Sequence, residues 1–203
     1  MAQTKIKAGG FDADVITGTT ALTTEPDSTD ELLISDAGTL KRLDIDTIYN
    51  TPAFQARATA NQNVDDATST KVEFDTEDYD TDSAYDASND QFTVPSGKGG
   101  KYFLYAKVKI SGGTVNTLNS AVLLFRIGSN ERYGHEFFGN GIVSGTVETV
   151  QGAGLNITAT LDLSAADVVS VYGYSNVTSG QAQFQCGDNY SIYFGGYRIS
   201  GTS

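Results

Sequence analysis

The sequence predicts an all-β protein: a jelly-roll sandwich of about ten antiparallel strands, preceded by an extended N-terminal arm. Residues 101–110 alternate strictly. Tyr102, Leu104, Ala106, Val108 and Ile110 point one way, while Phe103, Tyr105, Lys107 and Lys109 point the other. That period of two marks a strand with one buried face. Short runs of the same kind recur between Gly-rich turns, and no segment carries a convincing helical period.

Residues 1–52 form the arm. Residues 1–24 are mostly small and polar, with too few large apolar groups for a core. The runs 30–35 and 39–45 flank Asp36-Ala37-Gly38, which fits a hairpin with a three-residue loop ending in a glycine of positive φ. An isolated hairpin is marginal in water, so the arm is expected to be held by another surface. The globular domain begins at Ala53. Strands are expected at 71–74, 91–94, 101–110, 121–127, 142–150, 156–163, 168–174, 182–185 and 190–199. Turn signals separate them: Pro95-Ser96-Gly97, Ser111-Gly112-Gly113, Gly128-Ser129-Asn130, Asn140-Gly141, Thr178-Ser179-Gly180 and Gly187-Asp188-Asn189. A chain of 203 residues suits one domain plus an appendage, or two small domains, and about 70% of its surface can be buried on folding.

Composition narrows the function. The chain has 13 basic and 25 acidic residues, a net charge of −12, one His, one Cys, one Met and no Trp. Nucleic acid is a poor partner for such a charge. Cys186 has no partner within the chain, which excludes a disulfide scaffold. Lone His135 and Cys186 make a His/Cys zinc site implausible. No run approaches the ~18 apolar residues of a membrane span, so no membrane insertion is expected. Residues 1–10 lack the apolar stretch of a signal peptide. The charge is concentrated: residues 65–90 hold 10 acidic residues against 1 basic, whereas residues 91–203 hold 6 against 7. A segment so acidic is expected as an exposed excursion from a near-neutral framework.

That acidic stretch invites a Ca²⁺ reading, with Asp75, Asp78, Asp80 and Asp82 as candidate ligands. Asp78, Asp80 and Asp82 match positions 1, 3 and 5 of an EF-hand loop. Ser83 replaces the glycine of position 6, however, and Asn89 replaces the glutamate of position 12. A looser oxygen cage, or simply a solvated acidic loop, remains. An enzyme reading finds no nucleophile beside His135 and no apolar pocket that sets an acid beside a base, so no catalytic residue is expected. Three sequons, at Asn156, Asn176 and Asn189, carry no weight without a secretory signal. Tyr79, Tyr85, Tyr133, Phe137 and Phe138 lie in loop-like segments and suit stacking on a host surface glycan. Packing beneath long loops is the competing reading.

Two faces carry more apolar surface than a lone sandwich covers. Phe103 and Tyr105 share their face with two lysines, and the last strand has large apolar groups on both faces. A strand apolar on both faces is buried on both. Phe103, Tyr105, Tyr193, Phe194 and Tyr197 are therefore the expected contacts between subunits. Partial exposure of tyrosines is the plainer alternative.

Residues 53–200 resemble a known family. The pieces are Ala53-Phe54-Gln55-Ala56, Val72-Glu73-Phe74, Tyr85-Asp86, Phe92-Thr93-Val94-Pro95 and Gly100-Lys101-Tyr102-Phe103-Leu104, closing with Leu161 to Val169 and Tyr193-Phe194-Gly195-Gly196-Tyr197. In this order they resemble the globular head of the complement first-component q subunit, which belongs with the tumour necrosis factor jelly rolls. The resemblance implies a compact homotrimer with aromatic residues near the three-fold axis. Ala166 stands where the family usually has Gly. Residues 5–22 (KIKAGGFDADVITGTTAL) and 30–44 (DELLISDAGTLKRLD) are similar to a leader on structural proteins of tailed phages of marine bacteria. That likeness implies an arm docking the trimer on the virion surface against other capsid or tail proteins, through Ile6, Phe11, Val15, Leu32, Ile34, Leu40 and Leu43. The expected role is a capsid decoration or head fibre, and the alternative is a tail-fibre tip that binds a host glycan or envelope protein.

Overall fold

The computed structural model describes residues 18, 20–24, 26–27, 29–45, 48, 51–114, 117–138, 141–143, 146–148, 151–187 and 192–201. The chain divides into two compact units, residues 1–50 and residues 51–203.

In the first unit, β1 (Glu31–Asp36) pairs antiparallel with β2 (Thr39–Asp44). The loop is shorter than the sequence suggests. Asp36 pairs with Thr39, leaving only Ala37 and Gly38 between the strands, at φ 47° and 82°. Positive φ at both central residues is what a type I′ turn requires, and its twist matches that of the strands.

The second unit carries β3 (Ala53–Arg57), β4 (Gln62–Val64), β5 (Thr68–Lys71), β6 (Thr76–Asp80), β7 (Tyr85–Asp86), β8 (Gln91–Thr93) and β9 (Gly100–Ser111). Then follow β10 (Leu118–Ile127), β11 (Asn130–Phe138), β12 (Gly141–Val143), β13 (Thr146–Glu148), β14 (Gly152–Leu163), β15 (Val168–Val177), β16 (Ala182–Phe184) and β17 (Tyr193–Gly201). Two antiparallel sheets form the jelly roll. One runs β11-β10-β15-β8-β7, with β5 also on β15. The other runs β6-β3-β17-β9, with β14 on the far side of β9 and β16-β4 at its Ile110 end. The expected run at 71–74 is the crossing from β5 to β6. The run at 142–150 divides into the β12–β13 ribbon.

The core lies between the sheets, and every residue of it falls between 54 and 194. Phe54 stacks on Phe92 at 4.4 Å, and Phe194 meets Phe54 edge-on at 4.9 Å. Such pairs add about 0.5–1.5 kcal/mol each beyond the area they bury. Tyr85 joins them, its hydroxyl donating to the Phe74 carbonyl at 3.1 Å.

The acidic stretch is not an excursion. Residues 65–90 supply β5, β6 and β7, and their Val72, Phe74 and Tyr85 are core residues. Apolar groups turn inward while carboxylates turn out, so one segment serves both the core and the surface. Strand β6, which holds Glu77, Asp78 and Asp80, closes one edge of its sheet. Charged side chains on an edge strand discourage pairing with stray strands.

Candidate functional site

The candidate site is the outer face of the sheet β6-β3-β17-β9-β14. Alternation along β9 puts Tyr102, Leu104, Ala106, Val108 and Ile110 inside, and leaves Phe103 and Tyr105 half-buried on the outside. On β17 the same parity places Tyr193 and Tyr197 outside. Phe103 lies 5.5 Å from Tyr197 and 6.2 Å from Tyr105, and Tyr105 lies 6.0 Å from Tyr193, ring centre to ring centre. Four of the five expected contact residues thus form one aromatic patch.

Phe194 is not part of it. It is fully buried inside the protomer, against Phe54, Phe74, Tyr85 and Phe125. Its place in β17 is one step out of phase with Tyr193 and Tyr197, so its side chain enters the core and offers nothing to a neighbour.

Two residues outside the expected set shape the patch. Gly195 pairs with Tyr105, and a Cβ at 195 would lie 2.5 Å from the Tyr105 hydroxyl oxygen. Tyr105 therefore lies across the bare backbone of β17 to reach β3, where its hydroxyl donates to Gln55 Oε1 at 3.0 Å. Gln55 Nε2 donates to Asp78 Oδ2 at 2.9 Å, and Asp78 forms an ion pair with Arg57. The Tyr79 hydroxyl stands 3.4 Å from that of Tyr105. Burial first, and the Tyr79 hydroxyl second, push the Tyr105 hydroxyl above the usual tyrosine range. The patch is thus aromatic at its centre and hydrogen-bonded at its β3–β6 margin.

The four candidate calcium ligands are not assembled into a cage. Asp75 accepts from the backbone N–H of Thr59 at 3.0 Å and from the Thr59 hydroxyl. Asp78 is held by Arg57 and Gln55. Asp80 accepts from the N–H groups of Asp82 at 3.1 Å and Tyr85 at 2.7 Å, and Asp82 accepts from the Thr81 hydroxyl at 2.8 Å. Each carboxylate serves a different partner because β6 and its flanking turns spread them apart. Among the described residues no three His, Cys, Asp or Glu side chains converge on a point that suits a metal ion.

The glycan candidates separate too. Tyr85 is a core residue, whereas Tyr79 and Phe138 are 47% and 72% exposed. The side chains of Tyr133 and Phe137 fall outside the described residues. His135 Nδ1 lies 2.9 Å from the Asn156 carbonyl on an exposed surface. A cavity of about 500 Å³ opens beside Asp82, Ser83, Asp86, Pro95 and Ser96. The Asp86 carboxylate is already occupied by Ser88 and Asn89.

In the first unit, register assigns the docking candidates to two faces. Leu32 pairs with Leu43 and Ile34 with Lys41 on one face, while Leu33 pairs with Arg42 and Ser35 with Leu40 on the other. Leu40 therefore stands apart from Leu32, Ile34 and Leu43. Its face-mate Leu33 is as exposed as Leu40, at 70% against 69%, and is the residue the sequence reasoning missed. Cross-strand pairing finds it directly. Lys41 pairs with Asp36 and Arg42 with Glu31, so the hairpin's cations are matched internally. Ile6, Phe11 and Val15 lie outside the described residues.

No family model matches the chain, and no curated protein matches it. Among solved structures, the globular domain of a zebrafish complement 1qA protein is similar at a TM-score of 0.47 and 15% identity, covering 74% of this chain and 99% of that one. Murine APRIL, in a crystal structure at pH 5.0, is similar at 0.49 and 12%, covering 74% of this chain and 100% of that one. These likenesses concern the fold alone, and the fold rests here on its own strand pairing.

Proposed function

We propose that the protein is a non-enzymatic structural component of a virion surface: a homotrimer of jelly-roll units, fixed to the particle by its N-terminal unit. The aromatic patch carries this reading. Phe103, Tyr105, Tyr193 and Tyr197 share one outer sheet face, in contact with one another and only partly covered. Aromatic residues are enriched where proteins meet, and charged residues are depleted at the centre of such contacts. A second copy supplies a matching apolar surface at no cost in new sequence.

The hairpin supports the docking half of the reading. Leu22, Leu33, Leu40 and Ile48 are each at least half exposed, and the hairpin's cations are already paired. Its exposed leucines, Leu33 and Leu40 on one face, suit an apolar groove on a capsid or tail subunit, with the exposed ion pairs beside them left to solvent. The resemblance of residues 5–22 and 30–44 to phage leaders is what points to a virion. A tail-fibre tip is the second reading, favoured by the 72% exposure of Phe138 at the end of β11.

Removing residues 1–50 tests the division of labour. Among the described residues the jelly-roll core cluster lies wholly in 54–194, so the shortened chain is expected to stay folded and trimeric by light scattering, yet to be absent from purified particles. Undiminished incorporation would refute the docking role. Copy number per particle then separates a decoration, at hundreds, from a fibre.

A further inference from the structure

Past the aromatic patch, the same outer face opens into a polar pocket. Outward positions of β9 continue from Tyr105 through Lys107 and Lys109 to Ser111, and the partners of these last three on β14 are Asn156, Gly154 and Gly152. Two successive outward positions of β14 thus lack side chains, and a Cβ at 154 would meet nothing within 4 Å. On the other side of β9, the N–H of Gln185 donates to the Lys109 carbonyl at 2.7 Å. Bare backbone on one side and the end of a short strand on the other leave a cavity of about 350 Å³, lined by Lys109, Ser111, Gln151, Gly152 and Gln185.

The walls are fixed before any ligand arrives. Ser111, 2% exposed, donates its hydroxyl to the Gln151 carbonyl at 3.3 Å and accepts from the Gly113 N–H at 3.1 Å. The Gly112 N–H donates to the same Gln151 carbonyl at 2.8 Å. The recognition groups, by contrast, are uncommitted. Among the described residues the Lys109 ammonium has no ion pair, and neither the Gln151 nor the Gln185 side-chain amide has a hydrogen-bond partner.

Those groups select a ligand. Lys109 brings the one charge in the lining, so a single anionic group suits it. Each amide offers two donors and an acceptor, a pattern that matches neighbouring hydroxyls. No aromatic or wholly apolar side chain is among the described lining, which disfavours a nucleobase or an acyl chain. The volume is at the small end of the ~300–1,000 Å³ range for ligand sites, which suits one sugar ring rather than a longer chain. The net charge of −12 also disfavours a polyanion. We infer that this pocket binds a uronic-acid sugar at the end of a glycan, with the Lys109 ammonium on its carboxylate and the Gln151 and Gln185 amides on its ring hydroxyls. The whole lining belongs to one copy, so the site needs neither the trimer nor the docking hairpin.

The test titrates the full chain with methyl β-glucuronide by saturation-transfer NMR, against methyl β-glucoside and acetate. The glucuronide is expected to bind at least about tenfold more tightly than either, since the glucoside lacks the carboxylate and acetate lacks the ring. Lys109→Gln should weaken glucuronide binding by about tenfold to a hundredfold, the loss of a charge-assisted hydrogen bond. Gln185→Ala should weaken it about threefold to tenfold. Gly154→Phe, which fills the open space beside Lys109, should block binding while circular dichroism stays unchanged. Equal affinity for glucuronide and glucoside would overturn the role of Lys109, and acetate binding as tightly as the glucuronide would overturn the sugar. A wild-type chain that does not bind the glucuronide, or a Lys109→Gln chain that binds it as well as wild type, would overturn the site.

Discussion

Replacing Gly195 with Ala should dismantle the aromatic patch. The added Cβ would sit 2.5 Å from the Tyr105 hydroxyl oxygen, 2.6 Å from its ring carbon Cζ and 2.8 Å from the Phe54 carbonyl oxygen. A side chain gives way to such a contact more readily than backbone does, so Tyr105 must swing off β17. It then loses its hydrogen bond to Gln55 and its approach to Tyr79, each worth about 1 kcal/mol. It also loses the edge-on contact with Tyr193, about 0.5–1.5 kcal/mol. The Phe54 carbonyl belongs to β3, paired with β17 along its length, and cannot retreat without breaking the ladder. The expected cost is about 2–4 kcal/mol, within the range for overpacked sites.

Urea unfolding at fixed protomer concentration, followed by tyrosine fluorescence because the chain has no Trp, measures this cost. Fixed concentration matters because assembly adds to apparent stability. Tyr105→Ala supplies the control background. There, Gly195→Ala should cost about 2 kcal/mol less than in wild type, since only the clash with β3 remains, and the difference is the coupling energy of the pair. Equal costs in the two backgrounds would refute the idea that Tyr105 occupies the space above Gly195.

Phe103→Asp and Phe194→Asp should fail in different ways. Phe103 faces outward, so its variant is expected to remain folded by circular dichroism and to sediment as a monomer. Phe194 is fully buried, so an aspartate there places an unpaired carboxylate in the core, and the chain should not fold. A folded Phe194→Asp monomer would contradict the assignment of faces on β17. Ala166→Gly is expected to stabilise the domain by about 1 kcal/mol, because Ala166 sits at φ 69° where a Cβ is penalised. An unchanged urea midpoint would count against strain at that turn.

Much of the fold was legible because period two survives in long strands. Residues 101–110 reveal their two faces directly, and the strand extends by only one residue at each end. The hairpin's position was legible from Gly38. Its loop length was not, since an alanine at positive φ leaves no sign in the sequence. The acidic stretch misled for another reason. Ten carboxylates in 26 residues dominate any average, whereas the apolar positions that matter are three: Val72, Phe74 and Tyr85. They are separated by a crossing and a bulged strand, so no single window shows their common face. At the candidate site, parity alone assigns Phe194 to the side opposite Tyr193. A count of apolar residues on β17 merges the two.

What parity does not disclose is how a ring lies once it has left the backbone. On β17, Gly195 and Gly196 pair with Tyr105 and Leu104 of β9. A Cβ at 196 would fall 2.4 Å from Leu104 Cδ2, as one at 195 falls on Tyr105. Consecutive side chains of β9 thus fold over consecutive glycines of β17, Leu104 toward the core and Tyr105 toward the outer face. Neither glycine is needed for its φ, which is not in the left-handed region at either position; both are needed for their emptiness. The outer consequence bears on assembly. A tyrosine laid flat on its own sheet and anchored through its hydroxyl has already lost its rotamer freedom in the protomer. Immobilising such a side chain on association ordinarily costs about 0.5–1.5 kcal/mol. In a homotrimer that cost is avoided once per copy at this position. Two adjacent glycines in the final strand therefore link the packing of the core to the readiness of the outer face for a partner.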